Sequence, residues 1–215
     1  MLKTNHPALF LLLAGAAVLS AQDAPIVVPG APGQPSRTIT AAEAITHVKP
    51  PADADVAFMQ GMIMHHSQAV EMTDLMPKRT HNKALLEFGR RISISQSDEM
   101  KSMKQWLEDR GKPTTMDHSH MVHTPGMDMN AMMMMPGMLT PQQMQALAKA
   151  SGPTFDRLFL TGMIQHHNGA LIMVQDLFSS PGAGEDAILF DFATDVDNTQ
   201  RAEIDIMKQM LEKIK

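Results

Sequence analysis

Two adjacent histidine pairs, His65–His66 and His166–His167, are the residues of this chain best suited to chemistry. A methionine precedes each pair by three and four positions: Met62 in the first case, Met163 in the second. On a helix those offsets put thioether and imidazole on one face, a turn apart. Neutral imidazole suits Cu, Zn, Fe and Ni, whereas thioether sulfur selects Cu(I) and similarly soft ions such as Ag(I). The chain has 22 Met and no Cys, so its soft donors are thioethers and imidazoles, and thiolate or disulfide chemistry is closed to it. A lone His on an apolar face is ordinarily a hydrogen-bonded core residue, since an unpaired buried polar group costs about 1–3 kcal/mol. Four at repeated positions, each beside a Met, fit metal binding better.

The repetition is longer than the pairs. FMQGMIMHHSQAVEM, Phe58 to Met72, returns as FLTGMIQHHNGALIM, Phe159 to Met173, with eight identities in fifteen positions. An internal repeat sets the architecture before anything else does. At 100° per residue Phe58, Met62, His65, His66, Ala69, Met72 and Met76 form one stripe, and Gln60, Ser67, Glu71 and Asp74 oppose it. The spacing therefore predicts an amphipathic helix from about Asp53 to before Pro77, with the His pair facing inward. A second helix is expected from Thr80 to about Arg110, stopped by Gly111. The second copy predicts helices over about 154–178 and 185–213, with SSPGAG as the turn. The partner helices repeat as well: Gln96, Glu99, Met103 and Leu107 return as Gln200, Glu203, Met207 and Leu211. Two hairpins with short internal loops and a long connection give an all-α four-helix bundle. No run of β-branched residues with period two suggests a strand.

Met103 and Met207 join the candidate ligands, each one turn after Glu99 or Glu203 on its helix. The two glutamates could orient an imidazole from outside the metal's own shell, bind a harder metal directly, or lie in solvent. Other Met at helical spacing, such as Met72, Met76, Met100 and Met173, read as core filling. Between the copies, residues 112–152 form an insert. Its segment Met116 to Met138 is dense in Met and His, including His118, His120, Met121 and His123, and shows no core periodicity. Thioethers need no deprotonation, so such a segment suits Cu(I) or Ag(I) even in acid. Thr140-Pro141 opens a short helix within the insert, up to about Ala150.

The first 21 residues read as a secretory signal, with Lys3 ahead of the apolar run Leu9–Leu19 and small residues at Ser20 and Ala21. Residues 22–51, rich in Pro, Ala and Gly, read as an extended leader with one short helical turn near Thr40–His47. The hairpins then occupy 52–111 and 153–215. Export follows, to the periplasm or beyond, with no membrane span in the mature form. A net charge of −5 without a basic block excludes a nucleic-acid footprint. No nucleophile elbow, phosphate loop or dinucleotide fingerprint is present.

The motifs DVAFMQGMIMHHSQAVEM and FDRLFLTGMIQHHNGALIM, each followed by a helix with Q..E...M..L, resemble the exported family known as domain of unknown function 305. The resemblance runs from about Asp53 to the C-terminus in two copies. It implies a ferritin-like four-helix bundle and periplasmic binding of copper, as Cu(I) or Cu(II), or of silver. By position it assigns Met62, His65 and His66 to one copy, and Met163, His166 and His167 to the other. The long Met/His insert is a departure from the family pattern. The expected activity is non-enzymatic: metal sequestration, resistance, or transfer to a copper exporter or periplasmic metallochaperone. The alternative is a ferritin-like di-metal oxidase or peroxide scavenger using iron or manganese. Such sites use Glu-x-x-His, where this chain has Met62-x-x-His65 and Met163-x-x-His166.

Overall fold

The computed structural model describes residues 25–29, 34–40, 50–116 and 135–214. The chain divides into two units, Met1–Lys49 and Pro50–Lys215. In the first unit, β1 (Ile26–Val28) pairs antiparallel with β2 (Arg37–Ile39), Val27 opposite Thr38. This ribbon corrects the strand-free expectation. Three β-branched residues on one side and two on the other flank a Gly/Pro-rich stretch, a pattern too short to register as periodicity. The helical turn expected near Thr40–His47 lies almost wholly outside the described residues, as do the signal segment and His118, His120, Met121 and His123.

The second unit is helical. Four long helices, α1 (Asp53–Asp74), α3 (Lys83–Asp109), α5 (Gly152–Ser179) and α6 (Ala187–Glu212), accompany short α2 (Met76–Arg79) and α4 (Pro141–Lys149). Local chemistry fixes the ends. Asp55 accepts from the Ala52 amide at the start of α1. Asn82, not Thr80, caps α3 by accepting from the Leu85 amide, because Thr80 ends α2 and its hydroxyl accepts from Asn82. Gly111 closes α3 at φ 63°, a left-handed conformation that glycine adopts without strain. Thr140 and Gln143 form a reciprocal capping box on α4.

Helix α1 packs on α3, α5 packs on α6, and the two pairs meet through α1 and α5. Two apolar clusters result. One holds Phe58, Met62, Met103, Trp106, Met173 and Leu189; the other holds Met72, Phe88, Phe159, Met163, Ile204 and Met207. Each takes residues from all four long helices, at opposite ends of them. Trp106, 3% exposed, donates to Asp186, which caps α6, and Arg110 pairs with the same carboxylate while its guanidinium lies 4.2 Å over the indole. That knot ties the end of α3 to the start of α6.

The polar back expected of α1 is partly covered. Gln60 is buried and donates to the Pro113 carbonyl at 2.7 Å. The far end of the insert is held too. Gln68 pairs both its amide groups with the Leu139 backbone, and Gln165 donates to the Gly137 and Met138 carbonyls. Gly137 (φ 77°) and Gly169 meet so closely that a Cβ on Gly169 would lie 1.9 Å from the Pro136 oxygen.

Candidate metal centre

Between the two apolar clusters, at mid-height of the four long helices, lies a polar layer. His65, His66, His166 and His167 are all fully buried there. The helical repeat places the pairs in register across the α1–α5 contact, and the rings of His65 and His166 stack with centroids 3.7 Å apart and planes at 37°. Within a pair the rings are farther apart, 6.4 Å and 6.2 Å.

Each ring spends one nitrogen on an acceptor. His66 Nε2 donates to Glu99 at 2.7 Å, and His167 Nε2 donates to Glu203 at the same distance. His65 Nε2 donates to the Pro136 carbonyl at 3.0 Å, and His166 Nε2 to the His65 carbonyl at 2.8 Å. Carbonyls and carboxylates only accept, so the proton of each neutral ring is on Nε2 and Nδ1 carries a lone pair. All four Nδ1 atoms are buried without a hydrogen-bond partner.

Electrostatics keep the stacked pair neutral. Burial, followed by the neighbouring His66, pushes His65 down from 6.5 to about 3, against the opposing pull of the Pro136 carbonyl. Burial, then the facing His65, holds His166 well below the usual histidine range. Burial raises the Glu99 carboxyl, but the hydrogen bonds from His66 and Ser95 outweigh it and leave Glu99 below the usual carboxylate range.

The thioethers flank this layer. Met62, Met103, Met163 and Met207 are fully buried. Met62 precedes His66 by one turn and Met103 follows Glu99 by one turn. Because α1 and α3 run antiparallel, both Met belong to the same apolar cluster. Met163 and Met207 stand in the same relation to His167 and Glu203, in the other cluster. The four histidines thus share one buried layer, with Met62 and Met103 in the apolar cluster at one end of it and Met163 and Met207 in the cluster at the other. Gln96 and Gln200 are buried in the layer, yet their amides find no partner. They take no part in the hydrogen bonds of the histidines, whose Nε2 atoms are paired with Glu99, Glu203 and the Pro136 and His65 carbonyls. Among the described residues, no three His, Cys, Asp or Glu side chains converge as a metal-holding group. The Pro136 carbonyl was not foreseeable as a partner of His65, because nothing local in the sequence links positions 71 residues apart.

The second unit is thus a helical one with a buried histidine layer between two methionine-containing apolar clusters. The sequence profile described as "Domain of unknown function (DUF305)" matches residues 55–211, and the chain belongs to that family. A DUF305 fragment from Deinococcus radiodurans superposes with a TM-score of 0.65 at 25% identity, covering 77% of this chain and 99% of that one. A presumed secreted DUF305 protein from Streptomyces coelicolor gives 0.63 at 26% identity, covering 74% and 93%. CopM in its Cu(I)-bound form gives 0.56 at 28% identity, covering 74% and 95%. CopM with Cu(II) and with silver aligns at 27% identity. Among curated protein sequences none matches.

Proposed function

We propose that this chain is an exported binding protein for copper and silver ions, which it takes up as cargo for sequestration, resistance or transfer. The observation that carries the reading is the set of four buried, unpartnered Nδ1 atoms flanked by four buried thioethers. Leaving one such nitrogen unpaired costs about 1–3 kcal/mol, and a bound ion is what recovers it. Met62, His66 and Met103 form one set of donors, Met163, His167 and Met207 the other, and His65 and His166 lie between them. Glu99 and Glu203 hold the tautomer and orientation of His66 and His167, as carboxylates do behind metal-bound imidazoles. Thioether with neutral imidazole favours Cu(I) and Ag(I) over harder ions, and the copper- and silver-bound forms of CopM support that choice.

On this reading the four long helices are two duplicated hairpins in a ferritin-like bundle, and the protein is not an enzyme. A di-metal oxidase would need a Glu at each position held by Met62 and Met163. The signal-like first 21 residues and the presumed secreted relative support a periplasmic or secreted protein. A copper exporter or periplasmic metallochaperone would then receive the cargo.

The test is a Cu(I) titration of the mature protein against a competing chelator, alongside a Met62→Leu/Met103→Leu/Met163→Leu/Met207→Leu variant. Leucine keeps the volume of each site and removes the sulfur. The variant is expected to bind at least about tenfold more weakly at these sites, a loss of about 1.4 kcal/mol or more. Equal affinity in the two proteins would refute the assignment.

A further inference from the structure

Gly61 lies buried in the middle of α1, where Ala would favour the helix by about 1 kcal/mol. Its place is explained by what fills the space beside it. A Cβ built there would lie 3.1 Å from the Met116 methyl, 3.2 Å from the Met135 sulfur and 3.4 Å from the Met173 methyl. Three methionine tips touch one point on α1, so they are neighbours of one another. Two belong to the Met-rich insert, one before and one after its central part; the third comes from α5. The insert is fastened on both sides of this point, by Gln60 to Pro113 and by His65 to Pro136.

Methionine is a common core filler, and that explanation has an internal control. Gly162 is the same position in the second copy, and there the notch is filled by both methyls of Leu139 and the tip of Met72. Met72 and Met173 correspond in the repeat. The chain thus closes one notch with leucine and one thioether, and the other with three thioethers. Met116 and Met135 are only half-buried, where a flexible apolar side chain gains little from packing and is open to oxidation. A trio of thioethers without a charged or nitrogen donor is a soft donor set whose affinity does not depend on deprotonation.

We propose that Met116, Met135 and Met173 form a separate three-thioether site for a soft monovalent cation, Cu(I) or Ag(I), where both arms of the Met-rich insert meet α1. The proposal rests on the soft-metal reading above and adds a site one residue from Met62 and one turn from His65 along the helix. That placement suits a point of entry between the insert and the buried layer.

The test is native mass spectrometry of the mature protein loaded with Cu(I) in the presence of a competing chelator. Wild type is compared with Met116→Leu/Met135→Leu/Met173→Leu, and with Met116→Leu alone. The triple variant is expected to hold one Cu(I) fewer per chain, with an unchanged helical circular-dichroism signal. The single variant, altered only at a half-buried position outside the helices, is expected to bind that ion at least about tenfold more weakly. Identical stoichiometry and affinity in wild type and triple variant would overturn this proposal and leave the buried-layer reading standing. A wild type that takes up no Cu(I) would overturn both.

Discussion

At the scale of single residues, the four histidines are alike in sequence and divided in environment. His66 and His167 face carboxylates, whereas His65 and His166 face backbone carbonyls and each other. Burial keeps the stacked pair from taking a proton in the folded state, while the unfolded chain takes one near the ordinary 6.5. A folded-state value depressed below the unfolded one means that stability is complete above about pH 6.5 and falls as pH drops toward about 3 for His65. The depressed Glu99 carboxyl acts in the same direction at lower pH. Each of the two stacked histidines should remove about 1.4 kcal/mol per pH unit once well below 6.5. Denaturant melts of the metal-free protein at pH 7, 5.5 and 4.5 check this, and a flat or rising stability would contradict it. That His and Met lie within one turn of each other was readable from the sequence, because both fall on one helix. Glu99 and Glu203 were readable as orienters, though two other roles stayed open until their distances to the rings were known. What could not be read were the carbonyl partners of His65 and His166, which depend on how distant segments cross.

At the scale of elements, the long helices followed from period and caps, within a few residues. The shift of the α3 start from Thr80 to Asn82 came from two adjacent cap-forming side chains, one of which closes α2. Gln60 was misread as solvent-facing because the periodicity of a helix cannot show that a connecting segment crosses its back. The clearest instance of such a crossing is Gly169, which admits the Pro136–Gly137 backbone against α5. Alanine there would gain about 1 kcal/mol of helix propensity. It would also force a methyl group 1.9 Å from the Pro136 oxygen and 2.5 Å from the Gly137 Cα. Backbone cannot retract as a side-chain tip can, so the clash should win, with a net cost of about 1–3 kcal/mol. Urea denaturation of Gly169→Ala measures it. The equivalent position of the first copy is Gln68, which holds the same crossing segment by hydrogen bonds instead. One turn of chain therefore meets the two copies of the motif in two different ways.

At the scale of the whole helical unit, neither helix pair owns a core. Each apolar cluster draws on α1, α3, α5 and α6, with the polar layer between the clusters. The covalent link through the insert should thus be unnecessary for holding the halves together. A protease site placed between residues 125 and 126, cut in the folded protein, should leave two fragments that co-elute and keep their helical signal. Fragments that separate in native buffer would show that the link matters. The shared core also means that one end of the layer can be told from the other only where the repeat is broken. Trp106 breaks it: it is the single Trp in a chain without Tyr, and it lies buried in the cluster of Met62 and Met103. The other end of the layer has no indole. The intrinsic fluorescence of this molecule is therefore one-sided, an optical label built into one half of a near-symmetric pair. If the proposed copper or silver sites exist, a change in emission on adding the ion would report the Met62–Met103 end and not the Met163–Met207 end.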